Sequence, residues 1–130
     1  MSVWRRKAIK CVPELHKEFE DPEATIHTVF SELQPALETA HKNGDVATAR
    51  RIYDFAFWCF TSKEKMLWNA AGVAFYEHLG DHESTAKHFT QFVDRTLYLE
   101  IQPLLAAALG EEKMQELNLR YGIRSAQSRE

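Results

Sequence analysis

Cysteine is scarce in this chain of 130 residues: Cys11 and Cys59 are the two, and both stand among hydrophobic neighbours. Free thiols in such surroundings pack as small apolar groups. Nothing in the sequence implies the oxidising compartment that a disulfide would need. Glycine and proline are also sparse, and 45% of the residues are apolar, which argues against disorder and against a fibrous repeat. No apolar run approaches the ~18 residues of a membrane-spanning helix. The opening MSVWRRKAIKCVPELHKEF has basic residues but no apolar core leading to a small-residue cleavage site, so no signal peptide is expected. A cytoplasmic location follows as the default.

Charge of one sign is lacking too. The net charge of −3 is mild, and the arginines are divided between Arg5–Arg6, Arg50–Arg51 and the tail. A nucleic-acid surface needs a basic patch, because phosphate contacts supply most of the affinity. None is visible. Alternating β-branched runs are missing, so no strand is predicted. No residue repeat suggests a solenoid. There is no phosphate loop, GxGxxG or CxxC. Ser31, Ser62 and Ser84 lack the glycine-rich elbow of a nucleophilic serine. No catalytic residue and no cofactor are assigned.

What remains is helical. The predicted fold is all-α: a single compact bundle of about five to seven helices over residues 1–122, some kinked at proline, with a polar tail over 123–130. A first helix starts near Val3 and ends or bends at Pro13. Asp21-Pro22-Glu23 reads as the start of the next, with Asp21 as cap. Pro35 should kink or divide it, and Asn43-Gly44 should end it. Asp45 caps a helix so rich in apolar residues that it is expected to be buried on nearly every side. Asp54 within it is expected to pair with Arg50 or Arg51. After a joint capped by Thr61 or Ser62, a further helix runs to about Leu79. Ala70, Ala71, Gly72 and Ala74 give it a thin flank suited to close packing. Asp81 is expected to cap a long helix that Pro103 splits. A short last helix follows Gly110, with Met114, Leu117 and Leu119 on its apolar side. The organising pair is expected to be the two helices between Asp45 and Gly80.

Three constellations bear on function. Glu14, Glu18, Glu20, Asp21 and Glu23 make the most acidic window of the chain. It is either a solvated helix end or a docking patch for a basic partner. Glu77, Asp81 and Glu83 form a second acidic group around His78 and His82. Those histidines are four apart, the spacing of two ligands on one helical face. Gly80 and the expected cap at Asp81 interrupt that face, and a zinc site needs further ligands. Surface or capping histidines are the plainer reading. Trp4, Tyr76 and Tyr98 are interface-type aromatics, yet such residues more often belong to the core.

The segments RIYDFAFWCF, LWNAAGVAFYEHLGD and QPLLAAALGEEKMQEL, over about Asp45 to Tyr121, resemble a family of small bacterial helical proteins. That family is in turn similar to the immunity proteins that accompany secreted polymorphic toxins. The element AFYEHL, Ala74 to Leu79, is the most specific part of the likeness. The resemblance implies an all-helical cytoplasmic protein without catalysis, which binds and neutralises a cognate protein toxin encoded beside it by occluding it. Glu14, Glu18, Glu20, Asp21, Glu23, Glu77, Asp81 and Glu83 are then the partner-binding candidates. Phe75, Tyr76 and Leu79 are expected to be packing determinants. One alternative is a helical interaction or regulatory module, in which the chain is a homodimer. The other is a small metal-dependent enzyme using His78 and His82.

Overall fold

The computed structural model describes residues 1–124; the expected tail from residue 125 onward lies outside them. Eight α-helices and three short 3-10 turns make up the fold, and no strand occurs among the described residues. The helices are α1 (Val3–Cys11), α2 (His16–Glu20), α3 (Ile26–Lys42), α4 (Val46–Phe60), α5 (Lys65–Ala74), α6 (Glu83–His88), α7 (Arg95–Leu109) and α8 (Glu111–Arg120). None is long and apolar enough to cross a membrane.

The bundle has more helices than expected because the long predicted runs break where no proline stands. The helix expected to reach Leu79 ends at Ala74, and Phe75 leaves helical geometry at φ −124°, ψ −70°. A 3-10 turn, Tyr76–His78, follows it. Burial explains the break: it places Phe75, Tyr76 and Leu79 all in the core, whereas on a continuous helix Tyr76 would face about 180° away from Leu67 of the buried α5 stripe. The run from Asp81 to Leu109 likewise divides at Phe89–Asp94, where Asp94 caps α7 by accepting from Leu97 N–H. The two prolines divide nothing. Pro35 and Pro103 sit inside α3 and α7 on exposed positions. Each removes one backbone donor. The carbonyls left without it belong to Ser31 and Leu99, both exposed and open to water.

Several caps differ from expectation for local reasons. Asp21 folds its carboxylate back onto Glu23 N–H in a turn, and Thr25 caps α3 instead through Thr28 N–H. Thr61 bonds back to the Phe57 carbonyl and Ser62 supports Glu64 N–H, so neither caps α5. Asp45 does cap α4, and Gly44 before it takes φ +66°, which glycine adopts without strain.

Helix α3 joins the predicted central pair at the middle of the bundle: it packs against α1, α4, α5 and α6. Ile26, Val29, Phe30, Leu33 and Leu37 carry its buried stripe. The stripe meets Ile52, Phe55, Ala56 and Cys59 of α4 in one continuous core. Phe30 lies between Phe55 and Phe75, with ring centroids 5.5 and 5.6 Å away. Tyr76 and Tyr98 are fully buried. Helix α4 is not apolar on every side: Phe57 is 49% exposed. Asp54 is exposed as well and forms no ion pair among the described residues. Arg51, its expected partner, instead donates to the Cys11 carbonyl and to Thr48. In solvent Asp54 has no need of a counter-charge. A Cβ at Gly72 would just touch the Leu104 side chain, at 3.4 Å, so the close neighbour there is a side chain. The tighter glycine is Gly80, where a Cβ would press on Leu109, 3.2 Å from its Cγ.

Candidate functional site

The first acidic window spreads over a 3-10 turn, α2 and the turn that follows. All five of its candidates, Glu14, Glu18, Glu20, Asp21 and Glu23, are exposed. None joins an ion pair among the described residues. The backbone beneath them is held by Arg5 of α1, whose guanidinium donates to the carbonyls of Phe19, Asp21 and Ala24 at 2.6, 2.8 and 3.0 Å. A cation at the C-terminal end of α2 also suits the negative end of that helix. Phe19 anchors the segment in the core, fully buried.

Glu14 opens onto a groove of about 380 Å³ between the Pro13–Leu15 turn, α3 and the start of α4. Val12, Leu15, Pro35 and Ala36 line it with apolar surface, while Glu14, Glu32 and Asp45 supply its charge. No lysine, arginine or histidine lines it. Bonds from Thr48 hold the Asp45 carboxyl below its ordinary range, so it stays ionised. The sequence reading found Glu14 here but missed Glu32 and Asp45, which reach the groove from other elements.

The second acidic group lies elsewhere, around the turn into α6. Glu77 is half-buried, and Asp81 and Glu83 are exposed. Asp81 meets His78 Nδ1 at 2.6 Å, and Glu83 accepts from Lys87 at 3.1 Å. Asp81 therefore does not cap α6; His82 stands at that position without a capping bond. Among the described residues, no three His, Cys, Asp or Glu side chains come close enough together to hold a metal.

The cap of α6 comes from α3. Glu38 accepts from Ser84 N–H at 3.0 Å and, through its other oxygen, from Thr85 N–H at 2.7 Å and the Thr85 hydroxyl at 3.0 Å. Burial opposes ionisation of Glu38, but these donors outweigh it and hold its carboxyl down to about 2. Gln34, one turn earlier, donates to the Ala74 carbonyl at the end of α5. His41, one turn later, meets the Tyr53 hydroxyl at 2.9 Å and stacks on His88 with centroids 5.7 Å apart. Phe92 closes this cluster, stacked on Tyr53 at 4.7 Å with Arg50 over its other side. Gln34, Glu38 and His41 thus make a polar stripe beside the apolar one on α3. It fastens the irregular region between α5 and α7. Their i, i+4, i+7 spacing was the available signal, and the sequence reading did not use it.

Of the two thiols, Cys11 lines the base of a pocket beside Lys7, Arg51 and Trp58. Cys11 and Cys59 are buried and free. Burial pushes each thiol up to about 12, far from the thiolate that reacts.

Neither a curated protein nor a solved structure matches the chain. A family match runs from within α1 to the last turns of α7 and so includes every acidic candidate and the polar stripe, but not α8. The chain belongs to that family, described as a domain of unknown function (DUF7674), whose model matches residues 6–106.

Proposed function

We propose that the protein is an immunity-type binder: it neutralises a cognate bacterial toxin by covering it, with no catalysis of its own. The observation that carries this reading is the acidic surface from Glu14 to Glu23, five exposed carboxylates against Lys17 with no ion pair among the described residues, continued by Glu32 and Asp45 into a groove that no cation lines. A basic partner cleft is the complement of such a surface. Opposed potentials would speed the encounter by ~10-fold or more and disfavour wrong partners. The acids stand on a backbone fixed by Arg5 and Phe19, so docking would order little that is not already ordered. The likeness of the central segments to immunity proteins points the same way. Of the named candidates, Glu14, Glu18, Glu20, Asp21 and Glu23 are the binding face. Asp81 and Glu83 are tied to His78 and Lys87, and Glu77 is half-buried, so this group lies outside the face.

The test is a tagged pull-down from the native cells, with the eluate identified by mass spectrometry. The expected result is one stoichiometric protein partner, encoded beside this chain, whose expression alone stops growth and whose effect this chain relieves. A partner that is harmless when expressed alone would overturn the immunity reading and leave a helical interaction module.

A further inference from the structure

Three cations that stand apart in the sequence meet in a pocket that shares no lining residue with the acidic groove. Lys7 and Lys10 reach it from α1 and Arg51 from α4, around a shallow volume of about 230 Å³. Cys11, Phe55 and Trp58 give it an apolar wall, and Asp54 is the one carboxylate that lines it. None of these four charged side chains joins an ion pair among the described residues. A chain of net charge −3 therefore carries a local excess of two positive charges here.

Two of the cations are held in position. Arg51 donates from Nε to the Cys11 carbonyl at 2.9 Å and from Nη2 to the Thr48 hydroxyl at 3.0 Å. These bonds fix the guanidinium plane and leave Nη1 without a protein partner among the described residues. They also occupy the Cys11 carbonyl, whose oxygen would otherwise repel an anion. Lys7 Nζ lies 5.0 Å over the Trp58 ring, a contact that keeps its ammonium beside the aromatic wall. A guanidinium fixed in this way is pre-organised for an oxyanion. The charge excess selects which one. A carboxylate or a phosphodiester brings one negative charge, whereas a phosphomonoester brings close to two at neutral pH. We propose that this pocket binds a small phosphomonoester, its phosphate among Lys7, Lys10 and Arg51 and its organic body against Trp58. The acidic window stays free for the partner proposed above, so either proposal can fail without the other.

Isothermal titration calorimetry of the full chain tests it, with phenyl phosphate, inorganic phosphate and phenyl sulfate as probes. The expected result is saturable one-to-one binding of phenyl phosphate, ~10-fold tighter than inorganic phosphate because the ring buries apolar area. Phenyl sulfate, of the same shape with one charge fewer, should bind at least ~3-fold more weakly than phenyl phosphate. Lys7→Gln with Lys10→Gln, both at exposed positions, should weaken phenyl phosphate at least ~10-fold by loss of charged hydrogen bonds, with the circular dichroism unchanged. Asp54→Asn removes the opposing charge and should tighten binding by about 3-fold. No binding at millimolar phenyl phosphate, or binding indifferent to the two lysines, would overturn the proposal. Equal affinity for phenyl sulfate would overturn the choice of a phosphomonoester, and equal affinity for inorganic phosphate would overturn the contact with Trp58.

Discussion

Between Glu14 and Glu23 five carboxylates stand in solvent without an ion pair among the described residues, whereas two of the three acids from Glu77 to Glu83 are tied to a neighbour one turn away. Along the sequence the two groups look alike. In space they differ in what surrounds them. The first sits on a short helix and two turns where Arg5 is occupied by three carbonyl oxygens and Lys17 stands in solvent without an ion pair among the described residues. The second shares its turn with His78 and Lys87. A count of acids is therefore a poor guide to a charged face; what matters is whether the nearest cation points at the carboxylate or at the backbone.

Reversing charge in each group separates them most sharply. With the pulled-down partner in hand, Glu18→Lys, Glu20→Lys and Glu23→Lys together should lower the association rate by about 10- to 100-fold at low salt, and less at high salt. Stability should hardly change, since all three side chains are exposed. Asp81→Lys with Glu83→Lys should leave the association rate within about 3-fold, given the screening of distant surface charge. Stopped-flow mixing would check both, and equal losses in the two groups would dissolve the distinction.

A third acid enlarges the contrast, because Glu38 does for the fold what the others do not. Glu38→Ala removes the acceptor for two amides and one hydroxyl at the start of α6. A destabilisation of about 1–3 kcal/mol is expected from lost capping and charged hydrogen bonds, read as a lowered urea midpoint. The pH dependence has a definite sign. The folded carboxyl titrates at about 2, below the ~4.3 of an unfolded glutamate. Its contribution is therefore present above pH ~4 and is lost as the pH falls toward the folded value. The alanine variant should lose less stability than the parent across that acid range.

Glu38 also marks where the sequence stopped being legible. The helical class, the caps at Asp45 and the turn at Gly44, and the apolar stripe of α3 could all be read from spacing, because each depends on residues within one or two turns. The break at Phe75 could not. It arises because Phe30, Tyr53 and Phe60, from two other helices, receive the rings of Phe75 and Tyr76. Local periodicity favours one helix through Leu79, and tertiary burial overrides it. Asp81 was assigned a cap by position alone, but His78 claims its carboxylate and Glu38 arrives from 46 residues away. The candidate surface was half legible for the same reason: Glu14 lies in a visible acidic run, while Glu32 and Asp45 join it only through the fold.

His41, on the same stripe, should give a smaller pH response of the same sign in a higher pH range. Burial, then the neighbouring His88, lowers its pKa, with Glu38 opposing. Tyr53 and Arg50 face the cluster from α4, and neither offers a negative charge at neutral pH. The unfolded chain thus takes up this proton first as the pH falls below ~6.5. Stability should be full above that value and decline below it. His41→Gln should flatten the slope between pH 7 and 5, measured by thermal unfolding. An unchanged slope would show that the stacked pair carries no such linkage.

The mildest test concerns a buried hydroxyl with no protein partner among the described residues. Tyr76 is fully buried between Phe60 and Phe75, and its hydroxyl has no protein hydrogen-bond partner among the described residues. Burial pushes its pKa up, so the group stays neutral. An unmet buried hydroxyl opposes folding, whereas the ring around it contributes apolar burial and edge-to-face contact. Tyr76→Phe should therefore leave stability unchanged or raise it by up to about 1 kcal/mol, with the helical signal intact. Tyr76→Ala would remove the ring as well and cost about 3–5 kcal/mol. If Tyr76→Phe instead lost stability, the hydroxyl would have to hold a buried water. The region between α5 and α6 would then be fastened at a second polar point beside Glu38.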